Sequence, residues 1–391
     1  MHYRSFGKTN KKVSMLGFGC MRLPVIENQS SKIDETLAKD MIRFAIEKGV
    51  NYFDTAYPYH GESMKEGGES EPFLGKVLEG GYREKVYIAT KMPCWLIREH
   101  EDMDKYLDEQ LERLKTNHID FYLAHSLNKA TWKMICEAGF PEFLEKAKKD
   151  GRIKHAGFSF HDELSLFKEI VDYYDWDFCQ IQYNYMDEYF QAGKEGLKYA
   201  SEKGLGVVVM EPLRGGKIVN NIPVEVDKVF KNAQRKMNSV EWALRWVWNN
   251  PEVSLLLSGM TSMAHVQENV SIAETAEDIV FDEKDYAVVS MAKKAFRDRI
   301  KVNCTACGYC MPCPVKVNIP GCFSHYNDFY MYGDPEKNDP KRSGYYIMIA
   351  PKQRASNCIK CGKCEEHCPQ NIAIREELDK VKELFEPEKV V

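Results

Sequence analysis

Four polar residues of different chemical types follow three successive apolar segments of the sequence. Asp54 ends the first of these segments and Tyr59 lies five positions later, Lys91 ends the second, and His125 follows the third. If the segments are parallel strands of one barrel, their carboxyl ends bring these side chains to a common mouth. A phenol, a cation, a carboxylate and an imidazole placed there could polarise and protonate a carbonyl oxygen as charge develops on it. We therefore predict a catalytic site for carbonyl reduction.

Each residue of this set has a distinct expected role. A tyrosine phenol, with an ordinary pKa of about 10, is a weak acid at neutral pH. A nearby lysine ammonium should lower that pKa, and an aspartate should pair with the lysine and fix it. We assign Tyr59 as the proton donor, Lys91 as the residue that tunes it, Asp54 as the partner of Lys91, and His125 as the group that orients the carbonyl.

A second chemical signal comes from the cysteines, because nine of the thirteen lie between Cys304 and Cys368. Eight of these nine form two runs of Cys-x2-Cys-x2-Cys, each followed by a fourth cysteine directly before a proline, and Cys322 lies between the runs. This is the layout of bacterial ferredoxins with two 4Fe-4S clusters, in which the fourth cysteine of each run ligates the other cluster. The predicted ligands are Cys304, Cys307, Cys310 and Cys368 for cluster 1, and Cys358, Cys361, Cys364 and Cys313 for cluster 2.

Two alternatives to this assignment remain open. Zinc also binds thiolates, although its sites usually pair two Cys-x2-Cys units and do not need a triple run. In addition, the first run has two residues rather than three before its fourth cysteine, so Cys322 could replace Cys313. Pro314 favours Cys313, and we interpret Cys322 as a packing residue.

The elements that must position the polar residues are short strands alternating with amphipathic helices. Eight apolar runs indicate strands, at Met15–Gly19, Asn51–Asp54, Val86–Thr90, Ile119–Ala124, Ile153–Ser159, Phe178–Gln182, Gly206–Met210 and Val253–Leu257. Eight strand–helix units in this length predict a (β/α)8 TIM barrel, with a hairpin at Tyr3–Val13 ahead of it. A doubly wound open sheet is the rival fold, but its Gly-x-Gly-x-x-Gly turn is only partly present.

The composition changes near Arg297, where the chain becomes rich in Cys, Pro and Tyr. We therefore predict a barrel domain over residues 1–298 and a small, mainly helical, ferredoxin-like iron–sulfur domain over residues 299–391. The net charge of −5 argues against a nucleic-acid partner, which would require a basic surface. The sequence has no apolar run long enough to span a bilayer and starts without a secretory signal, so we expect a cytoplasmic protein.

Taken together, the motifs of residues 1–275 resemble those of the aldo-keto reductases. The resemblance rests on Asp54-Thr55-Ala56-x-x-Tyr59, Gly68-Glu69-Ser70-Glu71, Lys91, His125, Gly157-Phe158-Ser159, Gln180-Ile181-Gln182-Tyr183-Asn184, Pro212-Leu213-x-Gly215-Gly216 and Glu268-Asn269. It implies a TIM barrel, a nicotinamide dinucleotide bound without a Rossmann domain, and a small carbonyl or alcohol substrate. It also selects Tyr59 over Tyr57, because the tyrosine of the family follows the aspartate by five positions.

The resemblance implies a set of cofactor-binding residues as well. Ser159 and Gln182 match positions that hold the nicotinamide carboxamide, whereas Phe160 stands where the family usually has asparagine. The other implied contacts lie in a glycine-containing loop and before or within the last barrel helix: Leu213, Gly215, Gly216, Lys217, Ser258, Gly259, Thr261, Glu268 and Asn269. Members that bind NADP carry Lys and Arg near this helix, where this chain has Gly259 and His265, so NAD and NADP both remain possible.

Two functional hypotheses follow. The first is an oxidoreductase that interconverts a carbonyl and an alcohol with a nicotinamide cofactor. Its two 4Fe-4S clusters would either transfer single electrons, for example to a redox partner protein, or stabilise the structure. The second is an iron–sulfur electron-transfer protein whose barrel binds a partner or substrate without hydride chemistry. The sequence shows no flavin fingerprint that would link two-electron and one-electron steps.

Overall fold

The computed structural model describes residues 1–333, 335–336, 339–340 and 344–387. The chain divides into two compact units, the first made of Met1–Gly215 and Val240–Asp282, and the second of Gly216–Ser239 and Glu283–Val391. Residues 216–239 and 283–298, which we predicted within the barrel domain, thus belong to the second unit. The domain boundary between residues 298 and 299 stays a prediction, because the two units divide the chain at other points.

The strands form a small hairpin and a closed barrel. They are β1 (Tyr3–Ser5), β2 (Lys12–Ser14), β3 (Leu16–Gly19), β4 (Tyr52–Asp54), β5 (Tyr87–Met92), β6 (Ile119–Leu127), β7 (Ile153–Phe160), β8 (Phe178–Gln182), β9 (Gly206–Met210) and β10 (Leu255–Gly259). β1 and β2 pair antiparallel, and the other eight strands pair parallel in sequence order until β10 closes the barrel against β3. The TIM barrel and the hairpin predicted from the sequence are therefore confirmed.

The helices follow the strands as a (β/α)8 fold requires, and the second unit contains one helix from residues 216–239 and the helices after residue 282. They are α1 (Glu35–Glu47), α2 (Ser70–Val77), α3 (His100–Arg113), α4 (Lys129–Glu137), α5 (Phe140–Lys149), α6 (Leu164–Tyr173), α7 (Gly193–Glu202), α8 (Val224–Asn232), α9 (Ser239–Trp248), α10 (Met263–Glu274), α11 (Glu283–Arg297), α12 (Ile319–Met331), α13 (Tyr345–Met348), α14 (Lys363–Glu366) and α15 (Ile374–Phe385). None of the described helices is both long and apolar enough to cross a membrane.

The barrel interior is filled from its amino-terminal end by aromatic side chains. Phe6, from the hairpin, packs with its ring centroid 4.7 Å from that of Phe121 and 5.4 Å from that of Phe178. The hairpin turn approaches β9 so closely that a Cβ on Gly7 would lie 2.2 Å from the backbone nitrogen of Gly206. Only glycine fits at this contact, and the packed rings leave the opposite, carboxyl end of the barrel for a site.

Side-chain alternation determines which residues reach that carboxyl end from inside. Tyr52, Ala89 and Leu123 belong to the barrel core. Because alternate residues of a strand share a face, the residues two positions further along β4, β5 and β6 also point inward. Those residues are Asp54, Lys91 and His125.

The second unit is mainly helical in its described part, as predicted for a ferredoxin-like domain. Its core packs α12 against α15, and the rings of Tyr345 and Phe385 stack with centroids 4.5 Å apart. Cys322 lies in this core with 0% exposure. Cys364 lies on α14 and the other cysteines of the two runs lie in loops around the core. Cys304, Cys313 and other cysteines pack against the core while partly exposed.

Candidate active site

The ammonium of Lys91 lies at the centre of the predicted catalytic set. Its Nζ donates hydrogen bonds to Asp54 Oδ1 at 2.7 Å, to the carbonyl oxygen of Thr55 at 2.8 Å and to the hydroxyl oxygen of Tyr59 at 3.2 Å. A lysine can donate three bonds only as an ammonium, so this surrounding fits the charged form. The side chain of Lys91 is 0% exposed and that of Asp54 is 4% exposed. The structure thus brings together three of the four predicted catalytic residues around one buried ion pair.

His125 stands beside this ion pair. Its ring centroid lies 5.9 Å from that of Tyr59, with the two planes at 79°. The indole of Trp95 lies on another side, with a centroid distance of 5.2 Å. His125 is almost completely buried, and its Nδ1 has no hydrogen-bond partner among the described residues. Buried polar atoms are normally satisfied, so this imidazole fits a site that a ligand completes.

Burial dominates the acid–base properties of Tyr59. Loss of hydration raises the pKa of Tyr59 above its ordinary value, and the nearby Lys91 ammonium only opposes the rise. The expectation of a lowered pKa for Tyr59 is therefore wrong in its net direction, because desolvation of the phenolate outweighs the neighbouring positive charge. The phenol is thus the protonated form at neutral pH, which is the form that donates a proton.

The other members of the site respond to burial in different ways. Burial raises the pKa of Asp54, against the attraction of the Lys91 ammonium. Burial also disfavours the charge of Lys91, but Asp54 and Tyr59 outweigh it and raise the pKa of the lysine. For His125, burial and then the positive charge of Lys91 lower the pKa well below its ordinary value. The imidazole is therefore neutral at neutral pH and can donate one N–H without carrying charge.

A buried polar network supports the strand that carries Lys91. The amide of Gln110 donates from Nε2 to the backbone carbonyl of Lys91 at 3.1 Å and to Glu71 Oε1 at 2.7 Å. Thr90 donates to the same Glu71 oxygen at 2.6 Å, and Arg113 donates from Nε to Glu71 Oε2 at 2.9 Å. Glu71 is completely buried, and these bonds compensate its charge. Glu71 therefore holds β5 and α3 together behind the site.

The predicted carboxamide ligands lie on neighbouring strands. The hydroxyl of Ser159 accepts a hydrogen bond from the backbone N–H of Ser126 at 2.7 Å. Gln182 donates from Nε2 to Asp187 Oδ2 at 3.1 Å, which leaves its carbonyl oxygen to face another partner. The structure thus places both side chains at the carboxyl ends of β7 and β8, and their contact with a cofactor stays a prediction.

Sequence reasoning missed Gln180. Its Cα lies in register with Ser159 on the adjacent strand. The side chain is 3% exposed, and its Oε1 is buried with no hydrogen-bond partner in the part of the chain that the structure describes. The alternation along β8 would have revealed it, because Gln180 lies two positions after the core residue Phe178.

Arg22 was missed as well. A Cβ on Gly259 would lie 3.1 Å from Arg22 Cδ, and a Cβ on Gly215 would lie 3.3 Å from Arg22 Nη2. The guanidinium therefore runs between two glycine loops that the sequence assigned to the dinucleotide. Its position three residues after Gly19, at the end of the first barrel strand, is the sequence signal that could have identified it.

The loop after β9 is divided between the two units. Leu213 and Gly215 belong to the first unit, in which Arg214 Nε donates to Asp187 Oδ2 at 2.8 Å. Gly216 and Lys217 belong to the second unit, where Lys217 Nζ pairs with Asp328 Oδ2 at 2.8 Å. Contact with a cofactor stays a prediction for Leu213, Gly215, Gly216 and Lys217.

The segment before the last barrel helix is tied to that helix. Asn269 donates from Nδ2 to Ser258 Oγ at 2.8 Å, and both side chains are buried. Thr261 contacts His265 Nδ1 through its hydroxyl at 3.2 Å. Gly259 ends β10, and Glu268 lies half-buried on α10. The structure brings the five predicted residues of this segment together, and their contact with a cofactor stays a prediction: Ser258, Gly259, Thr261, Glu268 and Asn269.

Two cavities of the second unit are bordered by the predicted cluster cysteines. One of about 270 Å³ has Cys313, Cys358, Cys361 and Cys364 in its wall. A second of about 20 Å³ has Cys304, Cys307, Cys310 and Cys368 in its wall, and Cys310 also borders the larger one. Each cavity thus gathers three cysteines of one run and the fourth of the other. Cys322 borders neither cavity; its Sγ lies 3.8 Å from the carbonyl oxygen of Gln353.

The cavities allow a test of whether the cysteines fit iron–sulfur clusters. Thiolates are the ligands that hold 4Fe-4S clusters, and the wall of each cavity includes four cysteines in the crossed arrangement of two-cluster ferredoxins, with Cys310 shared by both walls. The described chain contains no disulfide that would consume these thiols. The donor set therefore fits two 4Fe-4S clusters.

The fold and the site define a (β/α)8-barrel protein with an aspartate–tyrosine–lysine–histidine set at the carboxyl ends of its strands. Residues 15–290 match the model of the aldo/keto reductase family. The chain belongs to the aldo-keto reductase family of oxidoreductases. Residues 303–373 match the model of a 4Fe-4S dicluster domain, so an iron–sulfur module follows the barrel.

Relatives of known name match part of the chain. L-galactose dehydrogenase from Arabidopsis thaliana is 27% identical over a 307-residue alignment that covers 73% of this chain and 92% of the relative. NADH-specific methylglyoxal reductase from Escherichia coli is 24% identical, over 68% of this chain and 91% of the relative. An aldo-keto reductase from Bacillus halodurans in its holo form superposes with a TM-score of 0.60 at 24% identity, over 75% of this chain and 96% of that structure. This last likeness concerns the fold.

Proposed function

We propose that this protein interconverts a small carbonyl compound and its alcohol with NADH or NADPH, and that Tyr59 is the general acid and base. The observation that carries the proposal is the position of Lys91 Nζ, which contacts both Asp54 Oδ1 and the Tyr59 hydroxyl while His125 stands beside the phenol. This arrangement supplies a proton, a charge that stabilises the phenolate, and a hydrogen-bond donor at one point.

A nicotinamide dinucleotide fits the unsatisfied groups of the barrel mouth. Gln180 Oε1 is a buried acceptor without a partner among the described residues, and it lies beside Ser159, so these two side chains suit a carboxamide. Arg22, between Gly215 and Gly259, offers a positive charge to the phosphates. When bound, the nicotinamide ring supplies the two-electron reducing equivalent. Gln182, Leu213, Gly215, Ser258, Gly259 and Thr261, all of the first unit, complete the proposed binding site.

The residues of the chain then have separate tasks. The neutral His125 donates an N–H to the carbonyl oxygen of the substrate and orients it. Tyr59 gives its phenolic proton to that oxygen as negative charge develops there. Lys91 stabilises the resulting phenolate, and Asp54 keeps the lysine charged and fixed. In the reverse direction the phenolate accepts the proton of the alcohol.

The names of two relatives bear on the substrate. One is a dehydrogenase of L-galactose and the other a reductase of methylglyoxal, and both substrates are small and rich in oxygen. We infer a small carbonyl or alcohol substrate for this chain. The buried, aromatic surroundings of His125, with Trp95 on one side, suit a compact molecule.

In this proposal the second unit holds two 4Fe-4S clusters that exchange single electrons with a redox partner protein or support the structure. Cys304, Cys307, Cys310 and Cys368 would hold cluster 1, and Cys358, Cys361, Cys364 and Cys313 would hold cluster 2. Thiolate-ligated clusters and unpaired cysteines suit a reducing compartment, so we propose the cytoplasm.

The proposal is tested by anaerobic turnover with the intact protein, reconstituted with iron and sulfide. We expect oxidation of NADH or NADPH that depends on one or more members of a panel of small aldehydes, ketones and aldoses. Absence of turnover with the entire panel, in either direction, would contradict the reductase. Reversible reduction of the clusters by an external donor under the same conditions would then favour an electron-transfer protein.

The pH dependence of reduction follows from the directions of two pKa shifts. Tyr59 must be protonated to donate, and its pKa is raised above the ordinary value of about 10, so reduction should be lost only at still higher pH. His125 must be neutral, and its pKa is lowered well below about 6.5, so reduction should not decline as pH falls through 6.5. A profile of kcat/KM against pH checks both the acidic and the alkaline prediction. An inflection near pH 6.5 that disappears in the His125→Asn variant would contradict the neutral imidazole.

A further inference from the structure

The two cysteine cavities differ in the side chains that surround them. Lys363 and Arg375 border the cavity of cluster 2, and no Asp or Glu of the described chain does. Apart from its cysteines, the cavity of cluster 1 is bordered by apolar and uncharged residues such as Phe323, Ile372 and Gln370. A positive charge is therefore presented to only one of the two sites.

The cysteines of cluster 2 have charged side chains nearby: Glu365 acts on Cys364, and two cations act on the same run of cysteines. Arg375 interacts with Cys364, and Lys360 interacts with Cys358, so two ligands of cluster 2 have a cation nearby. For Cys304 of cluster 1, the charged neighbours are other cysteines.

Acidic residues only partly compensate these cations. Arg375 pairs with Glu365 at 2.8 Å, and Lys360 pairs with Asp379 at 2.8 Å. Neither Glu365 nor Asp379 borders the cavity, whereas the Arg375 side chain does. Lys363 and Arg375 therefore border the cluster 2 site directly, whereas Glu365 acts on Cys364 from outside the cavity wall.

A 4Fe-4S cluster becomes one charge more negative when it accepts an electron. Nearby cations favour that state, and net charge around a cluster is one of the factors that set its reduction potential. On this basis we propose that the cluster held by Cys313, Cys358, Cys361 and Cys364 has the higher potential, with Lys363 and Arg375 as the residues that raise it. The inference rests on the two clusters of the proposed function.

The consequence is a direction for electron flow inside the second unit. A single electron that enters the protein would leave the cluster held by Cys304, Cys307, Cys310 and Cys368 and would rest at equilibrium on the cluster beside Lys363 and Arg375. The first cluster would be oxidised and the second reduced by one electron, with no proton or bond changed.

The test is an anaerobic redox titration of the reconstituted full-length protein with dithionite, followed by EPR. Cys307→Ser and Cys361→Ser variants assign the two signals, because each removes one exposed ligand of one cluster. Lys363→Gln and Arg375→Gln should each lower the potential of cluster 2 alone. Lys380→Gln is the matched control, since this lysine lies on the same helix as Arg375, pairs with Glu377 at 2.7 Å and borders neither cavity.

We expect the first electron to appear in cluster 2. Together, the two neutralising substitutions should change the ratio of reduced cluster 2 to reduced cluster 1 by at least about tenfold, which is about 59 mV for a one-electron couple. First reduction of cluster 1, or equal shifts of both potentials, would overturn the inference and leave the proposed function intact. Iron analysis and EPR that show fewer than two clusters would overturn the cluster assignment of the proposed function together with the inference.

Discussion

The Tyr59→Phe variant is expected to reduce carbonyl substrates about 10²- to 10⁴-fold more slowly than the natural protein, the usual contribution of a positioned general acid. The substitution removes the phenolic proton but keeps the ring that packs beside His125. Lys91 retains two of its three acceptors, Asp54 Oδ1 and the carbonyl oxygen of Thr55, so the ion pair remains in place. The loss should therefore fall on kcat, with the Kd of the dinucleotide unchanged within about twofold.

Tyr57→Phe provides the matched control for this prediction. The Tyr57 hydroxyl donates to Glu109 at 3.1 Å and its ring packs on Tyr106 of α3, away from Lys91. Stopped-flow rates and fluorescence titration of NADH for both variants separate chemistry from binding. If Tyr59→Phe retained more than about a tenth of the natural rate, or if Tyr57→Phe lost as much as Tyr59→Phe, the assignment of Tyr59 would be wrong.

The Lys91→Met variant is expected to lose both activity and stability. Lys91 and Asp54 are buried together, and removing one member of a buried pair leaves an uncompensated charge that costs about 3–5 kcal/mol. Asp54 will then take up a proton more readily, because burial already raises its pKa and the opposing ammonium is gone. Reduction should fall at least as far as in Tyr59→Phe, since nothing stabilises the phenolate.

The double variant Asp54→Asn/Lys91→Met distinguishes a charge effect from a packing effect. It removes both charges, so it should recover a substantial part of the lost unfolding free energy while remaining inactive. All six tryptophans lie in the first unit, so their fluorescence in urea reports unfolding of the barrel. If the double variant is as unstable as Lys91→Met, the loss of stability comes from poor packing of methionine at position 91. The uncompensated charge of Asp54 would then not be its cause.

The barrel was predictable because its strands are short apolar runs separated by helices with clear ends. Helix α1 (Glu35–Glu47) is an example: Asp34 accepts the backbone N–H of Leu37 at 3.1 Å, and Gly49 follows with a φ of 92°. Strand ends were less predictable. β6 continues to Leu127 beyond the predicted Ala124, through an irregular register that no apolar pattern marks.

The proposed catalytic set could be read from residue types at strand ends, but its energetics could not. The sequence predicts that the Lys91 ammonium lowers the pKa of Tyr59, whereas the net shift depends on how deeply the phenol is buried. In the same way, Gln180 and Gln182 share one face of β8, and only their partners distinguish them. Gln182 contacts Asp187, whereas Gln180 Oε1 lacks a partner among the described residues.

The cysteine spacing predicted which residues should meet, because ligand order in a two-cluster module is set by chain connectivity. It could not predict the surroundings of each group of four. Arg375 lies seven positions beyond the last cysteine of the second run, yet its side chain reaches the cavity of cluster 2. The pairing of Lys217 with Asp328, 111 positions apart, is a long-range contact of the same kind.

The account depends on direct two-electron reduction of a carbonyl carbon at the barrel mouth, next to Tyr59. Turnover with NADH or NADPH carrying deuterium at C4 of the nicotinamide tests this most directly, with mass spectrometry of the alcohol product. We predict that the product carries deuterium on its carbinol carbon. In Tyr59→Phe we expect this labelled product to form far more slowly. The label is placed in turn on each face of the nicotinamide ring. If the product alcohol carries no deuterium in either case, the electrons reach the substrate by another route, and the account is contradicted.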